Sequence, residues 1–196
     1  MIDLSFSAYA WFLYTTPRGK VLTKKHMLSQ ASEAYGQEIQ DIDYIGHAEL
    51  NSRAMSSTGP LFPWYEPSPE LADAVVREEG PAFSYDEIRA LVDLSDLSSS
   101  LRRLSDAASE IPPARLTRMN ENLRSYASIP YWRMIGETGY VQENKFCSRE
   151  RNAEQLTREG VPVIMDRRNL YRVKDFKKLL HEITLFPPKE YALVRR

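Results

Sequence analysis

The residues best suited to chemistry lie close together near the end of the chain. Residues 147–160 read CSRERNAEQLTREG and combine several arginines with an asparagine and a glutamine. Arg, Asn and Gln can form paired hydrogen bonds to guanine and adenine edges in a major groove. Downstream, GVPVIMDRRNLYRVKDF places Arg167 and Arg168 between two short β-rich runs, where guanidinium groups can neutralise phosphate charge. These residue types suit recognition of base edges and phosphates.

Residues that could perform catalysis or hold a metal form no recognised pattern. Cys147 is the only cysteine, which excludes an internal disulfide and a cysteine-based structural zinc site. GHAEL at 46–50 contains His-x-Glu, but zinc deaminases combine this pair with a Pro-Cys-x-x-Cys that one cysteine cannot complete. PRGK at 17–20 lacks the remainder of a P-loop. We therefore predict that the chain is not an enzyme and holds neither a metal nor a cofactor.

Cys147 itself leaves two interpretations open. The nearby Arg149 can lower the pKa of a thiol and make it reactive. A small apolar residue at the start of a helix is the commoner reason for a cysteine in this position.

The net charge hides an asymmetry along the chain. The 196 residues, 42% hydrophobic and 27% charged with a net charge of −1, are typical of a globular protein with one large or two small domains. Residues 133–196 contain 14 basic and 9 acidic side chains, a balance of +5, which leaves −6 for residues 1–132. A basic segment is the usual signature of a nucleic-acid partner, although many domains without that role are equally basic.

The sequence predicts no contact with a membrane. No run of about 18 consecutive apolar residues is present, so no membrane-spanning helix is expected. The first residues, MIDLSFSAYAWFLYTTPRGK, carry Asp3 where a signal peptide has basic residues, which favours a folded N-terminal element. A single cysteine fits a reducing compartment, so we predict a cytoplasmic location.

Hydrophobic periodicity predicts a mostly helical region over residues 1–128. Residues 4–14 are apolar throughout and fit either a helix or a strand, whereas residues 20–39 show helical spacing. The proline- and aromatic-rich segment at 59–70 is predicted to be a packed loop, with an exposed aromatic contact as the alternative. Capping residues and apolar spacing predict further helices at 68–80, within 84–111 and at about 114–127.

The remaining residues, 129–196, are predicted to form a separate module. Ser148 is a good cap for a helix that Gly160 ends. The runs 163–165 and 170–172 predict two strands joined by a polar turn, and Asp175 is expected in the first turn of a last helix that points Phe176, Leu179, Leu180 and Ile183 inward. The predicted fold class is therefore mainly α with a small β wing (α+β).

This order of helix, Gly-x-Pro, strand, Arg-Arg turn, strand and helix resembles the winged-helix DNA-binding modules of phage excisionases and MerR-type regulators. The resemblance covers about the last quarter of the chain. WRMIGETGYVQENKF stands where those families carry a helix with the pattern EAA-x-x-L-G-V. The residues that match the family pattern are Arg158, Glu159, Gly160, Pro162, Arg167, Arg168, Tyr171, Arg172, Asp175 and Phe176.

The resemblance implies a DNA-binding regulatory or architectural protein from a phage or mobile element. Helix 148–159 would read the major groove of duplex DNA, and the wing 163–172 would contact the backbone or the minor groove. Such modules often act as homodimers, because binding to paired half-sites multiplies the affinity of a small interface. The predicted DNA-binding residues are Ser148, Arg149, Arg151, Asn152, Gln155, Arg158, Arg167, Arg168, Asn169 and Arg172.

Two alternatives remain at this stage. The chain could be a phage-type inhibitor or adaptor that binds a host protein through its acidic, aromatic-rich front half, with the basic hairpin merely solvated. Separately, YDEIRALVDLSDLSSSLRRL at 85–104 resembles a helix-turn-helix. Its candidate DNA contacts would be Ser98, Ser99, Arg102 and Arg103. Asp93, Asp96 and Asp106 surround them and would repel phosphate, so a plain helical pair or a protein-binding surface is favoured there.

Overall fold

The computed structural model describes residues 1–54, 59–65, 122, 125–126, 128–144 and 147–196. The chain divides into two compact units. Unit 1 consists of Met1–Gly46 together with Ile129–Arg196, and unit 2 of His47–Ser128.

The first segment of unit 1 alternates short strands with helices. Its elements are β1 (Ile2–Ser5), α1 (Phe6–Thr15), β2 (Leu22–Thr23), α2 (Lys24–Tyr35), β3 (Ile42–Asp43) and a 3₁₀ turn (Tyr44–Gly46). Ser5 and Thr23 cap the two helices by accepting hydrogen bonds from backbone N–H groups, and Gly36, at φ 61°, ends α2. The helix predicted within residues 20–39 is confirmed.

The ambiguous stretch 4–14 proves to be a strand followed by a helix. Every residue from Phe6 to Leu13 is buried. A helix that is apolar on all sides gives no periodic signal, so the sequence could not distinguish helix from strand there.

Unit 2 is described in part, beginning with α3 (His47–Ala54). The Asn122 amide donates to the Gly59 carbonyl over 2.8 Å. Leu61 and Phe62 are buried, so the packed-loop prediction is confirmed for residues 59–65. The helices predicted at 68–80 and 84–111, with the 85–104 pair among them, lie outside the described residues. Of the predicted helix 114–127, residues 122, 125 and 126 are described and helical.

The second segment of unit 1 contains the predicted helix and hairpin. Its elements are a 3₁₀ turn (Tyr131–Arg133), β4 (Met134–Ile135), α4 (Arg149–Arg158), β5 (Val163–Met165), β6 (Tyr171–Val173), a 3₁₀ turn (Phe176–Lys178), α5 (Lys189–Ala192) and β7 (Leu193–Arg195). Strands β5 and β6 pair antiparallel, with Ile164 opposite Arg172. The helix within 148–159 and the two-stranded hairpin are both confirmed.

The predicted last helix from Asp175 to Ile183 is wrong beyond one short turn. Asp175 lies in the left-handed region at φ 49°, and only Phe176–Lys178 form a 3₁₀ turn. The following backbone is used elsewhere: the Val21 N–H donates to the Leu179 carbonyl, and the His181 N–H donates to the Val21 carbonyl. Pairing with the first segment of the chain thus replaces the intrahelical hydrogen bonds.

Strand pairing joins the two segments of unit 1. Strand β1 lies between β3, which is parallel to it, and β7, which is antiparallel, while β2 pairs parallel with β4. Completely buried side chains such as Leu4, Phe12, Met27 and Ile135 form the core. The structure therefore groups residues 1–46 with 129–196, which differs from the predicted division into 1–128 and 129–196.

The described residues form a mixed α+β fold. Among the helices that they contain, none combines the length and the apolar character that a membrane span requires.

Candidate nucleic-acid interface

Helix α4 has one buried face and one charged, exposed face. Ser148 caps it by accepting a hydrogen bond from the Arg151 N–H over 3.3 Å. Ala153 and Leu156 are buried, while Arg151 and Arg158 lie on the exposed side. A helix with so narrow an apolar stripe packs along one edge and leaves most of its surface accessible.

A buried ion pair fixes the C-terminal end of α4. The Arg133 guanidinium donates to both carboxylate oxygens of Glu159, from Nε over 2.7 Å and from Nη2 over 2.8 Å. Trp132 Nε1 donates to the same carboxylate over 2.9 Å, and Arg133 Nη1 donates to the Thr16 carbonyl. Because the Arg133 side chain is only 5% exposed, this network orients α4 against the body of unit 1.

The hairpin is extended by a third, unpredicted edge. Tyr140 forms an antiparallel bridge with Arg172. The Val141 N–H donates to the Tyr171 carbonyl, and the Val173 N–H donates to the Gly139 carbonyl. Strand β6 therefore lies between β5 and residues 139–141.

Asp166 organises the tip of the hairpin. Its Oδ1 accepts from the Arg168 and Leu170 N–H groups over 2.8 and 3.0 Å, and its Oδ2 accepts from the Tyr140 hydroxyl over 2.8 Å. These hydrogen bonds hold the pKa of Asp166 below its usual range. The bond from the Leu170 N–H has the largest effect, and the bond from the Tyr140 hydroxyl the next largest. Asn169, at φ 59°, completes the turn, and Arg167 and Arg168 are exposed on it.

Most of the predicted DNA-binding residues are accessible, and one is not. Asn152 is 1% exposed, and its amide donates to the Gln142 carbonyl over 2.7 Å, so the prediction does not hold for Asn152. Arg149 and Gln155 are partly exposed. Those that are exposed are Ser148, Arg151, Arg158, Arg167, Arg168, Asn169 and Arg172.

Two exposed arginines already have partners within the chain. Arg158 Nη2 donates to Glu154 Oε1 over 2.6 Å, one helical turn away. Arg172 Nε donates to the Thr138 carbonyl over 3.1 Å, and its guanidinium lies 5.6 Å from the centre of the Tyr140 ring. Arg172 is therefore held in place, whereas Arg158 is in a surface ion pair that contributes little energy.

The sequence interpretation missed Tyr140. A turn signal, Glu-Thr-Gly, precedes the Tyr-Val pair, and this pattern is typical of a short strand after a tight turn. The resemblance implied a helix in this segment, so the strand was not predicted.

Two further observations concern metal ligands and the single cysteine. Within them, no three His, Cys, Asp or Glu side chains lie close enough together to hold a metal ion. Partial burial raises the pKa of the Cys147 thiol, which disfavours the reactive thiolate.

Comparisons with protein families, with curated proteins and with solved structures give no match for this chain.

Proposed function

We propose that this chain is a non-enzymatic DNA-binding protein with a regulatory or architectural role, of the kind that phages and mobile elements encode. Helix α4 reads the major groove of duplex DNA, and the hairpin β5–β6 contacts the backbone or the minor groove, as in a winged helix. Two copies bind as a homodimer, each on one half-site. The observation that carries the proposal is the pair of exposed arginines, Arg167 and Arg168, on a structured turn.

The charge of this surface supports contact with phosphates. Asp166 keeps its negative charge, because the hydrogen bonds that it accepts favour the ionised form. The two exposed arginines, Arg167 and Arg168, outnumber this one carboxylate, so the tip is positive on balance. Because the backbone of the turn is already ordered, binding restricts mainly the two arginine side chains, and the planar guanidinium suits a phosphate or a narrow minor groove.

The exposed face of α4 supports a role in readout. Arg151 is exposed and without an ion-pair partner among the described residues, and Gln155 lies at the border of the buried face. Arg can donate two hydrogen bonds to guanine, and Gln can form two hydrogen bonds with adenine. Arg158 becomes available once it leaves Glu154, at a small energetic cost.

Salt-dependent binding to duplex DNA tests the proposal. We expect Arg167→Ala with Arg168→Ala to weaken binding to all sequences and to reduce the slope of log K against log salt by about 2, because two phosphate contacts are lost. Gln155→Ala should instead change the sequence preference and leave the slope unaltered.

Lys25→Ala with Arg195→Ala is a matched control. It removes two exposed cations from α2 and β7, outside the hairpin and its third edge. If the hairpin and control variants lower the slope equally, the charge of the protein acts diffusely and the assignment of the wing is wrong.

A second candidate is the inhibitor or adaptor that binds a host protein. Tyr44 and Ile45 favour it, because they are 53% and 80% exposed and lie in the front half of the chain. Exposed large apolar side chains of this kind suit a protein interface. Absence of duplex binding even at low salt, combined with loss of partner capture in Ile45→Ser, would support this candidate over the first.

A further inference from the structure

We infer that the outer face of the sheet formed by β5, β6 and residues 139–141 stacks against unpaired bases, so that the protein prefers duplex DNA with an adjoining single-stranded extension. The inference rests on the proposed function, because it assigns a substrate class to the same hairpin.

The first step is the register of the three strands. Ile164 pairs with Arg172 on one side, and Arg172 pairs with Tyr140 on the other. Directly opposed residues of adjacent strands project on the same face of a sheet. Tyr140, Arg172 and Ile164 therefore form one row across the sheet, about 10 Å long at the usual strand spacing.

The second step is that this row faces away from the core. Val141 and Val173, the next residues along their strands, are each 1% exposed. Successive residues of a strand point to opposite faces, so the row lies on the solvent side. In agreement, Arg172 is exposed, Ile164 is 47% exposed and Tyr140 is partly exposed.

The third step is the cation–π contact between Arg172 and Tyr140. The guanidinium lies 5.6 Å from the ring centre, and its hydrogen bond to the Thr138 carbonyl restrains it. The Tyr140 hydroxyl is held in turn by Asp166. Aromatic rings and guanidinium planes are the surfaces on which proteins stack splayed-out bases, and this pair is already ordered.

The fourth step is charge complementarity. Arg167 and Arg168 lie at the tip of the hairpin, and Lys174 follows β6 at its other end, all of them exposed. Asp166 remains ionised beside them, and the three cations outnumber this one carboxylate. Cations beside a stacking row fit a nucleic-acid backbone that carries its bases across the sheet.

The occupant must have unpaired bases. In a duplex the base faces are buried in the stack, and a flat protein surface cannot reach them. A row of this length accommodates about two bases. Single-stranded DNA next to a duplex would place its bases on the row while the duplex contacts α4 and the tip arginines.

The test compares the full chain on a blunt duplex and on the same duplex with a five-nucleotide single-stranded extension. We expect the extension to tighten binding about tenfold. With 2-aminopurine in the extension, we expect its fluorescence to be quenched on binding.

Matched variants separate stacking from folding. Tyr140→Leu should abolish both the gain in affinity and the quenching, whereas Tyr140→Phe, which also loses the hydroxyl but keeps the ring, should retain both. Arg172→Lys keeps the charge and should lose most of the gain. Circular dichroism verifies that each variant is folded.

The outcomes distinguish the two proposals. Equal binding of both substrates, or equal behaviour of Tyr140→Leu and Tyr140→Phe, overturns the inference and leaves duplex binding intact. Absence of binding to either substrate overturns the proposed function, and the inference with it.

Discussion

Glu159 connects the C-terminal end of α4 to Arg133 and Trp132 in the body of unit 1. Its carboxylate accepts three hydrogen bonds from Arg133 and Trp132, and its side chain is 9% exposed. A buried charge pair contributes little compared with an apolar pair of the same shape, but removal of one partner leaves the other charge buried without compensation.

We therefore expect Glu159→Ala to lower the free energy of unfolding by about 3–5 kcal/mol. Glu154→Ala is the matched control on the same helix, because it breaks an exposed ion pair and should change stability by at most about 0.5 kcal/mol. Urea denaturation of the two variants measures the difference. Similar losses in both would show that the Arg133 network does not fix the helix.

Because of His181, we expect the stability of the folded state to depend on pH in the mildly acidic range. Burial lowers the pKa of His181 below its ordinary value of 6.5, despite the opposing effect of Glu182. The folded state therefore binds fewer protons than the unfolded state, so this contribution is fully present above about pH 6.5 and is lost as pH falls through the lowered pKa.

The urea midpoint should consequently fall between pH 7 and pH 5 in the natural chain and fall less in His181→Gln. Because His181 is only partly buried, we expect a modest difference. Parallel midpoints for the two proteins across this range would contradict it.

At the residue scale, composition and spacing predicted the exposed arginines but not the burial of Asn152. Arg167 and Arg168 are polar residues between β-rich runs, a local signal for a turn. Asn152 can be buried because its amide donates a hydrogen bond to the Gln142 carbonyl. That carbonyl belongs to an irregular segment with no sequence pattern of its own. Local spacing cannot reveal such a partner.

At the scale of elements, the helix and hairpin were predictable because their signals are local. Ser148 caps α4, and Gly160 at φ 84° ends it. The last predicted helix failed because Val21, more than 150 residues upstream, pairs with its backbone at Leu179 and His181. Apolar spacing alone was compatible with a helix there, and long-range pairing prevailed over it.

Two glycines have nearly the same φ angle but different surroundings, so they distinguish the cost of backbone strain from the cost of a packing clash. Gly139 and Gly160 have φ values of 85° and 84°. A Cβ at Gly139 would lie 2.6 Å from Phe176 Cδ1, whereas a Cβ at Gly160 would meet nothing within 4 Å.

Gly160→Ala should cost about 1–2 kcal/mol, the usual penalty for a left-handed conformation. Gly139→Ala should cost clearly more, because the 139–141 edge must also move away from Phe176. Thermal denaturation of both variants checks the order. Equal costs would mean that the ring shifts freely and that this edge is loosely held.

At the scale of the whole molecule, unit 1 is built from two distant parts of the sequence. Strand β7 pairs with β1, β4 pairs with β2, and the Ile183 N–H donates to Gln30 Oε1. None of these contacts leaves a local trace, so the sequence suggested a free-standing module at 129–196 that the strand pairing does not support.

Residues 129–196 alone should therefore be largely unfolded in circular dichroism and show no cooperative urea transition. Residues 1–46 joined to 129–196 by about ten Gly and Ser residues should fold, because the two ends to be joined lie close together. The centre of the Phe6 ring is 6.4 Å from that of Tyr44 and 6.4 Å from that of Tyr131. Cooperative unfolding of 129–196 by itself would show that unit 1 does not require its first segment.

The pairing of β1 with β7 also matters while the protein is being made. Their sequence separation of about 190 residues corresponds to a wait on the order of 10–40 s at ordinary translation rates. During that interval the β7 side of β1 is an open strand edge on the nascent chain, the kind of surface that associates with other polypeptides. Slow translation or a missing chaperone should therefore reduce the amount of folded protein that is produced. The stability of the molecules that do fold should be unchanged.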